Sequence, residues 1–295
     1  MIFDIQRYSI HDGAGIAQSC FLEGCNLRCA WCSNPESQSR VPSLFFNARQ
    51  CKGFGECATA MPDVISMVDG KAYIARTLLQ GAELLQNVCP SRALTVSGEE
   101  KSVEALLVEI EKDRPFFGRD GGVTISGGEP FLQQELLHEV LPALKASGIN
   151  IAVETCLHVS WDYIKPHLNH IDVFLADLKH LDAEKFRMYT GGDVDRVIEN
   201  FRKLNESGAT TIARIPVIPG FNNSFVELSA MVDFICGLSN IHEVNFIPFH
   251  KLGVEKYAML GMAYTFPFSD SIEETDLQEI QNYARIKGLK TKIGG

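Results

Sequence analysis

The sequence predicts an α/β fold: a partial, open (β/α)6 barrel of the TIM-like kind with a small insert. Three observations carry that expectation. From about residue 98 onward, short apolar runs alternate about six times with stretches whose apolar residues recur at helical spacing. Strand–helix alternation of this sort makes parallel strands joined by right-handed crossovers, and apolar strands suit a sheet covered on its outer face. A closed barrel takes eight units, so six leave it open. The third observation is a break: residues 43–97 lose the alternation, which sets 1–42 and 98–295 apart as the barrel and 43–97 as the insert.

Taken in order, residues 1–24 read as a short strand, a Gly-containing loop and a strand over 18–23. That strand feeds a cysteine loop ending near 38. Over 103–112, Val103, Leu106, Leu107 and Ile110 fall on one helical face. A strand is expected over 122–126, then the turn Gly127-Gly128-Glu129-Pro130. A helix over 132–147 is stopped by Gly148. Strands over 149–155 and 173–178 flank a short helix over 161–167. One helix follows Asp182, and a longer one over 193–207 is closed by Gly208. Strand 210–217, helix 226–238, strand 242–248, helix 275–287 and a terminal strand over 290–293 complete the pattern. No internal repeat is visible.

The composition narrows the function classes. At 295 residues and 45% hydrophobic content the chain can bury a sizeable core. The net charge of −10, from 27 basic and 37 acidic residues, argues against nucleic acid as a partner, since phosphates call for a basic face. No apolar run approaches the ~18 residues of a membrane span. Met1 to Arg7 lacks a basic n-region followed by an apolar core, so no signal peptide is expected. Nine cysteines without an export signal then point to metal or redox chemistry in a cytoplasmic, low-oxygen setting, rather than to disulfides.

Three of those cysteines form one word, Cys25-Asn26-Leu27-Arg28-Cys29-Ala30-Trp31-Cys32. Three thiolates on one loop suit a cubic iron–sulfur cluster. A [4Fe–4S] cube has four irons, so three ligands leave one iron open to a substrate or cofactor. Zinc would want four ligands, usually as two CxxC pairs, and no second pair follows. The C-x3-C-x2-C spacing resembles the signature of the radical S-adenosylmethionine (SAM) superfamily. His11-Asp12-Gly13-Ala14-Gly15-Ile16, Phe21-Leu22-Glu23-Gly24-Cys25 and Ser33-Asn34-Pro35-Glu36 resemble, within it, the glycyl radical enzyme activating enzymes, of which the pyruvate formate-lyase (formate C-acetyltransferase) type is the best known. The resemblance runs the length of the chain. It implies SAM as cofactor, a glycyl radical enzyme as protein substrate, and flavodoxin or ferredoxin as electron donor.

The insert resembles a degenerate ferredoxin. The two-cluster pattern C-x2-C-x2-C-x3-C-P, laid on its first half, wants Cys at 51, 54, 57 and 61; the chain has Cys51, Phe54, Cys57 and Met61. Laid on the second half it wants 79, 82, 85 and 89, where only Cys89 matches. The fourth Cys of each half serves the other cluster. One cluster is therefore lost outright. The other retains Cys51, Cys57 and Cys89, which either hold an auxiliary cluster or survive as small buried hydrophobes.

The resemblance also assigns site residues at the C-terminal strand ends, where parallel barrels place their chemistry. Gly127, Gly128 and Glu129 resemble the motif that receives the SAM amino group. Asp177, Leu178 and Lys179 resemble the activases' D-L-K segment, with Lys179 a point charge for the SAM carboxylate. Arg214 resembles the arginine beneath SAM and His250 the histidine near the adenosyl group, while Trp31 and Ser33, flanking Cys32, are placed to touch adenine. Glu154, Thr155 and Asp177 offer hard oxygens for a monovalent cation, though Glu154 stands where Asp is usual. Where the family has G-P-G-I-R-T, this chain has Gly13-Ala14-Gly15-Ile16-Ala17-Gln18; with the extra thiol of Cys20, that puts the substrate-loop contacts in question. Helix-borne His138, His167 and His170 are expected on solvated faces. A radical SAM enzyme acting on a small molecule would share the SAM words but not the activase words before Cys25. A ferredoxin-like electron carrier would need no Gly-Gly-Glu-Pro or Asp-Leu-Lys at strand ends.

Overall fold

A computed structural model describes residues 1–9, 15–267 and 271–294. Strand β1 (Ile2–Ser9) runs antiparallel to β2 (Ala17–Leu22), with Ile5 opposite Cys20. Residues 43–97 follow as β3 (Ser43–Phe46), α1 (Glu56–Ala60), β4 (Ile65–Val68), β5 (Lys71–Ile74) and β6 (Leu94–Ser97). β3 pairs with β6 and β4 with β5, both antiparallel. The β4–β5 turn is Asp69-Gly70, both residues at positive φ, the geometry that matches the twist of a two-residue hairpin. This segment packs around its own apolar cluster, which includes Leu44, Ile65, Leu85 and Leu94.

The alternation then begins. α2 (Val103–Glu111) starts at Ser102, whose Oγ accepts from Ala105 N at 3.2 Å, so one of the first-turn amides is satisfied. α3 (Arg114–Phe117) leads into β7 (Gly122–Gly127). α4 (Gln134–Ala146), β8 (Asn150–Thr155), α5 (Trp161–Ile164) and β9 (Val173–Asp177) come next. α6 (Ala183–Thr190) and α7 (Val194–Ser207) are closed by Gly191 and Gly208, each at φ 71°, the left-handed cap that glycine tolerates best. β10 (Thr211–Val217), α8 (Phe225–Cys236), β11 (Glu243–Pro248), α9 (Val254–Leu260), α10 (Gln278–Ile286) and β12 (Lys290–Ile293) finish the chain.

One sheet holds eight strands in the order β1-β2-β7-β8-β9-β10-β11-β12. Every pair from β2 onward is parallel. Strand order rises in one direction, so the sheet curls as a barrel wall, with β1 and β12 as its open edges. Six crossovers join the seven parallel strands, which is the open (β/α)6 arrangement. The expected first strand, β1, joins the sheet antiparallel, and helix α9 is an addition that the sequence pattern did not indicate. The main core fills the space between sheet and helices, with Phe131, Phe174, Phe201 and Phe246 fully buried. His167 corrects one expectation: it is 1% exposed, stacked on Phe131 and edge-on to His138, because the chain beyond α5 turns inward as a 3₁₀ helix.

Candidate functional site

The loop after β2 is fixed from both sides. Glu129 N donates to Gly24 O at 2.8 Å and Gly24 N to Ser37 O at 2.8 Å. Arg28 N and Ala30 N donate to Thr190 O and Tyr189 O at 2.7 and 2.9 Å, tying the loop to the end of α6. On the far side Tyr257 Oη donates to Cys32 O at 3.2 Å, and Lys256 Nζ reaches Asn34 Oδ1 at 2.8 Å and Glu36 Oε1 at 2.5 Å. Helix α9 is thus the outer brace of the cysteine loop.

So held, Cys25, Cys29 and Cys32 line one cavity of about 360 Å3 at the C-terminal ends of the strands. Facing them are Ser126, Gly127 and Gly128 at the end of β7 and Glu154, Thr155 and Cys156 at the end of β8. Asp177 and Lys179 come from β9, Arg214 from β10, and His250 from the loop after β11; Trp31 and Ser33 close the rim. Two glycines are required by packing. A Cβ on Gly127 would lie 2.2 Å from Leu22 O, and one on Gly128 2.3 Å from Gly24 O. The bare turn lets the cysteine loop close onto the strand end.

The charges on the floor pair off. Lys179 Nζ donates to Asp177 Oδ2 at 2.6 Å, Arg214 Nη1 lies 3.0 Å from Glu154 Oε1, and Ser126 Oγ donates to Glu154 Oε2 at 2.5 Å. Asp177 Oδ1 finds no hydrogen-bond partner among the described residues, although Arg214 Nε stands 3.9 Å away. Burial is the largest single influence and works to lower the Lys179 pKa, but the charge and hydrogen bond of Asp177, together with the nearby thiols of Cys29 and Cys156, outweigh it and hold the ammonium well above its ordinary value. Beneath this layer a second cavity of about 420 Å3 opens at the opposite mouth, and Arg214 lines both.

The thiols differ among themselves. Burial pushes Cys29 up to about 12 and raises Cys32. Cys25 is lowered instead, chiefly by a hydrogen bond with Cys156. Binding iron at Cys29 and Cys32 would displace protons that burial favours on those two thiols. Three thiols on one loop, a cavity rather than a packed interior at their tips, and bare glycine backbone opposite suit a three-cysteine cube with an open iron. Among the described residues no three His, Cys, Asp or Glu side chains converge on a single point. A cube takes each thiolate at a different corner and does not ask for such convergence.

Several expected site residues lie elsewhere. Glu129 is fully buried and does not line the cavity; its carboxylate accepts from Thr155 Oγ1 at 2.9 and 2.8 Å, Cys156 N at 2.9 Å and Phe131 N at 3.2 Å. It braces the turn from behind, leaving the Gly127-Gly128 backbone to face a ligand. Leu178 is also fully buried, in the main core, because the residue after Asp177 points to the sheet's other face. The cation trio does not fit: Glu154 and Asp177 are engaged by Arg214 and Lys179, and Thr155 is turned to Glu129. Cys20 lies in the core under the outer helices, where burial lifts it to about 12, and so has no part in a substrate loop. His11, Asp12, Gly13 and Ala14 lie outside the described residues. Cys51, Cys57 and Cys89 do meet, around a space of about 20 Å3 that takes roughly one water and no cube. Phe54, at the missing corner, is exposed.

Sequence reasoning overlooked Cys156. It follows Glu154-Thr155 directly, and its place just past a strand end was the available signal.

A sequence profile described as the radical SAM superfamily matches residues 19–232. The 4-hydroxyphenylacetate decarboxylase activating enzyme of Clostridioides difficile is 35% identical over 303 residues, covering 100% of this chain and 96% of that protein. The isethionate sulfite-lyase activating enzyme of Desulfovibrio desulfuricans is 38% identical over 270 residues, 88% of this chain and 86% of that one. Among solved structures, a domain of the pyruvate-formate lyase-activating enzyme of Bacteroides vulgatus superposes with a TM-score of 0.50 and 26% identity, covering 59% of this chain and 99% of that domain.

Proposed function

Since this chain belongs to the radical SAM superfamily, and within it to the glycyl radical enzyme activating enzymes, we propose that Cys25, Cys29 and Cys32 hold its [4Fe–4S] cluster and that the strand ends opposite bind SAM. The bound cluster, once reduced, supplies one electron for cleavage of SAM to methionine and a 5′-deoxyadenosyl radical, which takes a hydrogen atom from a backbone glycine of the partner enzyme.

The residues do the rest. Gly127 and Gly128 present bare backbone to the amino group of SAM, and Lys179 presents a buried ammonium to its carboxylate. Lys179 is already paired with Asp177, so its ammonium would be shared between Asp177 and the SAM carboxylate rather than exchanged from one to the other. Arg214 and Glu154 close the floor and separate the two cavities, which keeps water from the lower mouth out of the reacting volume. Trp31 packs on Phe221 at 4.6 Å between centroids and gives the rim a rigid apolar wall for adenine, with His250 across from it. No general base is needed for a hydrogen-atom transfer.

The single observation that carries this reading is the shared cavity, in which three thiols of one loop meet polar groups from four successive strand ends. Anaerobic reconstitution with iron and sulfide, reduction with dithionite and detection of 5′-deoxyadenosine test it. An intact cluster that cleaves no SAM would end it.

The partner is proposed as a glycyl radical enzyme of the formate C-acetyltransferase type, supported by likeness to the pyruvate-formate lyase-activating domain. The relatives named above serve a decarboxylase and a sulfite-lyase. Incubation with each class, followed by electron paramagnetic resonance for a glycyl radical, decides among them. Flavodoxin or ferredoxin is the proposed donor. A reducing cytoplasmic setting is part of the same proposal, supported by nine free cysteines. No helix among the described residues is long and apolar enough to cross a membrane.

A further inference from the structure

Helix α9 is held at both ends by parts of the chain far from it in sequence. It has seven residues, and a helix that short is marginal without tertiary contacts. At its C-terminal end stands Arg76, from the turn Arg76–Leu78 of the insert. Arg76 donates from Nη2 to Met259 O at 2.7 Å and from Nη1 to Leu44 O of β3. Met259 O belongs to the last turn of α9, where carbonyls lack helical donors and a cation suits the helix dipole. Gly261 caps that turn at φ 70° against the same side chain; a Cβ there would lie 3.1 Å from Arg76 Nε. At the other end a Cβ on Gly253 would lie 2.7 Å from Ser33 Cα, and Lys256 Nζ donates to Asn34 Oδ1 and Glu36 Oε1. Ser33 and Asn34 line the cavity that holds the three thiols. We propose that Arg76 and Lys256 are positioning residues acting in series: Arg76 fixes α9, Lys256 fixes the Ser33–Asn34 wall of the cavity, and the insert thereby sets how tightly the site binds SAM.

Each link resists sliding. A guanidinium that bridges two carbonyls fixes direction as well as distance, because its donors leave in a rigid fork. Arg76 therefore locks α9 to β3 rather than merely attracting it. Lys256 is constrained by charge. Glu36 is 4% exposed and its Oε2 finds no hydrogen-bond partner among the described residues, so moving Lys256 away strands a buried carboxylate. The same ammonium holds the Asn34 side chain at the cavity wall. Asn34 O in turn accepts from Ser37 N at 3.0 Å and Ser37 Oγ at 2.7 Å, so the turn over 34–37 moves as one piece. The pair Arg49 and Glu255, 3.9 Å apart and exposed, adds little. A displacement of α9 is thus passed to Ser33 and Asn34 through packing and hydrogen bonds alone. The insert needs no cluster of its own to act on the site in this way.

This inference rests on the proposed function, in which the cavity is the SAM site. The experiment measures the SAM dissociation constant by equilibrium dialysis on reconstituted, oxidised enzyme, which binds SAM without cleaving it. The variants are Arg76→Ala, Lys256→Met, the two together, and Lys256→Arg. Expected is iron content equal to wild type in each. SAM should bind about tenfold more weakly to Lys256→Met and about threefold more weakly to Arg76→Ala, within the range that coupling through packed contacts reaches. The double variant should stay close to Lys256→Met alone, because both residues act on one path. Lys256→Arg should recover most of the loss, which a purely structural defect would not predict. Hydrogen exchange in the Arg76→Ala holoenzyme should quicken across 32–38 as well as 254–260, although Arg76 touches only the second. SAM affinity equal to wild type in Arg76→Ala overturns the inference, as does faster exchange confined to 254–260 or losses that add in the double variant. If Lys256→Met holds no iron, Arg76→Lys against wild type decides, since it keeps the charge and loses the fork. Weaker SAM binding there supports the inference, and equal binding overturns it. A wild type that holds its cluster and binds no SAM would instead sink the proposed function.

Discussion

Two trios of cysteines lie in this chain, and they are built differently. Cys25, Cys29 and Cys32 occupy eight consecutive residues, share a cavity of about 360 Å3 and face polar side chains from four strand ends. Cys51, Cys57 and Cys89 are gathered from across the insert, share about 20 Å3, and pack with Leu44, Ile65 and Leu85. Both trios are three thiols brought together by the fold. What separates them is room and the chemistry opposite. A cofactor site keeps a cavity open and lines its far wall with groups that bind a ligand. In the insert the thiols instead pack among apolar side chains. The contrast teaches that a count of cysteines does not identify a cluster site, even when their spacing still follows a ferredoxin pattern.

The largest effect should come from the first trio. Cys29→Ala removes one of the loop's three thiols, so iron content should collapse and 5′-deoxyadenosine formation with dithionite should become undetectable. A variant that keeps both would erase the distinction between the trios. Next is Leu85→Ala at the centre of the insert cluster. It should cost about 2–5 kcal/mol in local stability, read by hydrogen exchange across 43–97, while the iron content of the barrel stays unchanged. Loss of iron in that variant would show the insert to be part of the cluster site.

A smaller, pH-dependent effect is expected at the root of the cysteine loop. Glu23 is fully buried, and burial raises its carboxyl from 4.5 to about 7. Folding favours the protonated form, so its contribution is intact below about 4.5 and is lost as pH rises through about 7. Glu23→Gln stays neutral throughout. Its denaturation midpoint relative to wild type should therefore rise between pH 5 and 8 and be flat below. A pH-independent difference would refute the assignment. The smallest effect belongs to the second trio. Cys51→Ser, Cys57→Ser and Cys89→Ser together should leave the iron and sulfide counts unchanged, and SAM cleavage within about twofold. A fall of about four irons per chain would mean that the insert does hold a cube.

Much of this was legible from residues in a row. The cysteine loop is local, and so are the strands and helices, whose periods and glycine stops at Gly191 and Gly208 lie within single segments. The strand ends were legible too, because a parallel α/β alternation forces them to one mouth. What escaped was orientation. Glu129 reads as a ligand-facing carboxylate, yet it points inward because five hydrogen bonds await it behind the turn. Asp177 and Glu154 read as cation ligands, yet Lys179 and Arg214 answer them first. Helix α9 escaped because its task, bracing Cys32 through Tyr257, is visible only across 225 residues of chain.

By itself, then, the sequence determined the (β/α)6 alternation and the loop that offers three thiols, since each depends on spacing within one stretch of backbone. Only the tertiary structure decided which trio keeps a cavity, which way Glu129 faces, and that Cys156 and Cys25 line one cavity. Those outcomes depend on which buried polar groups find partners, and the partners come from strands and helices far apart in the chain.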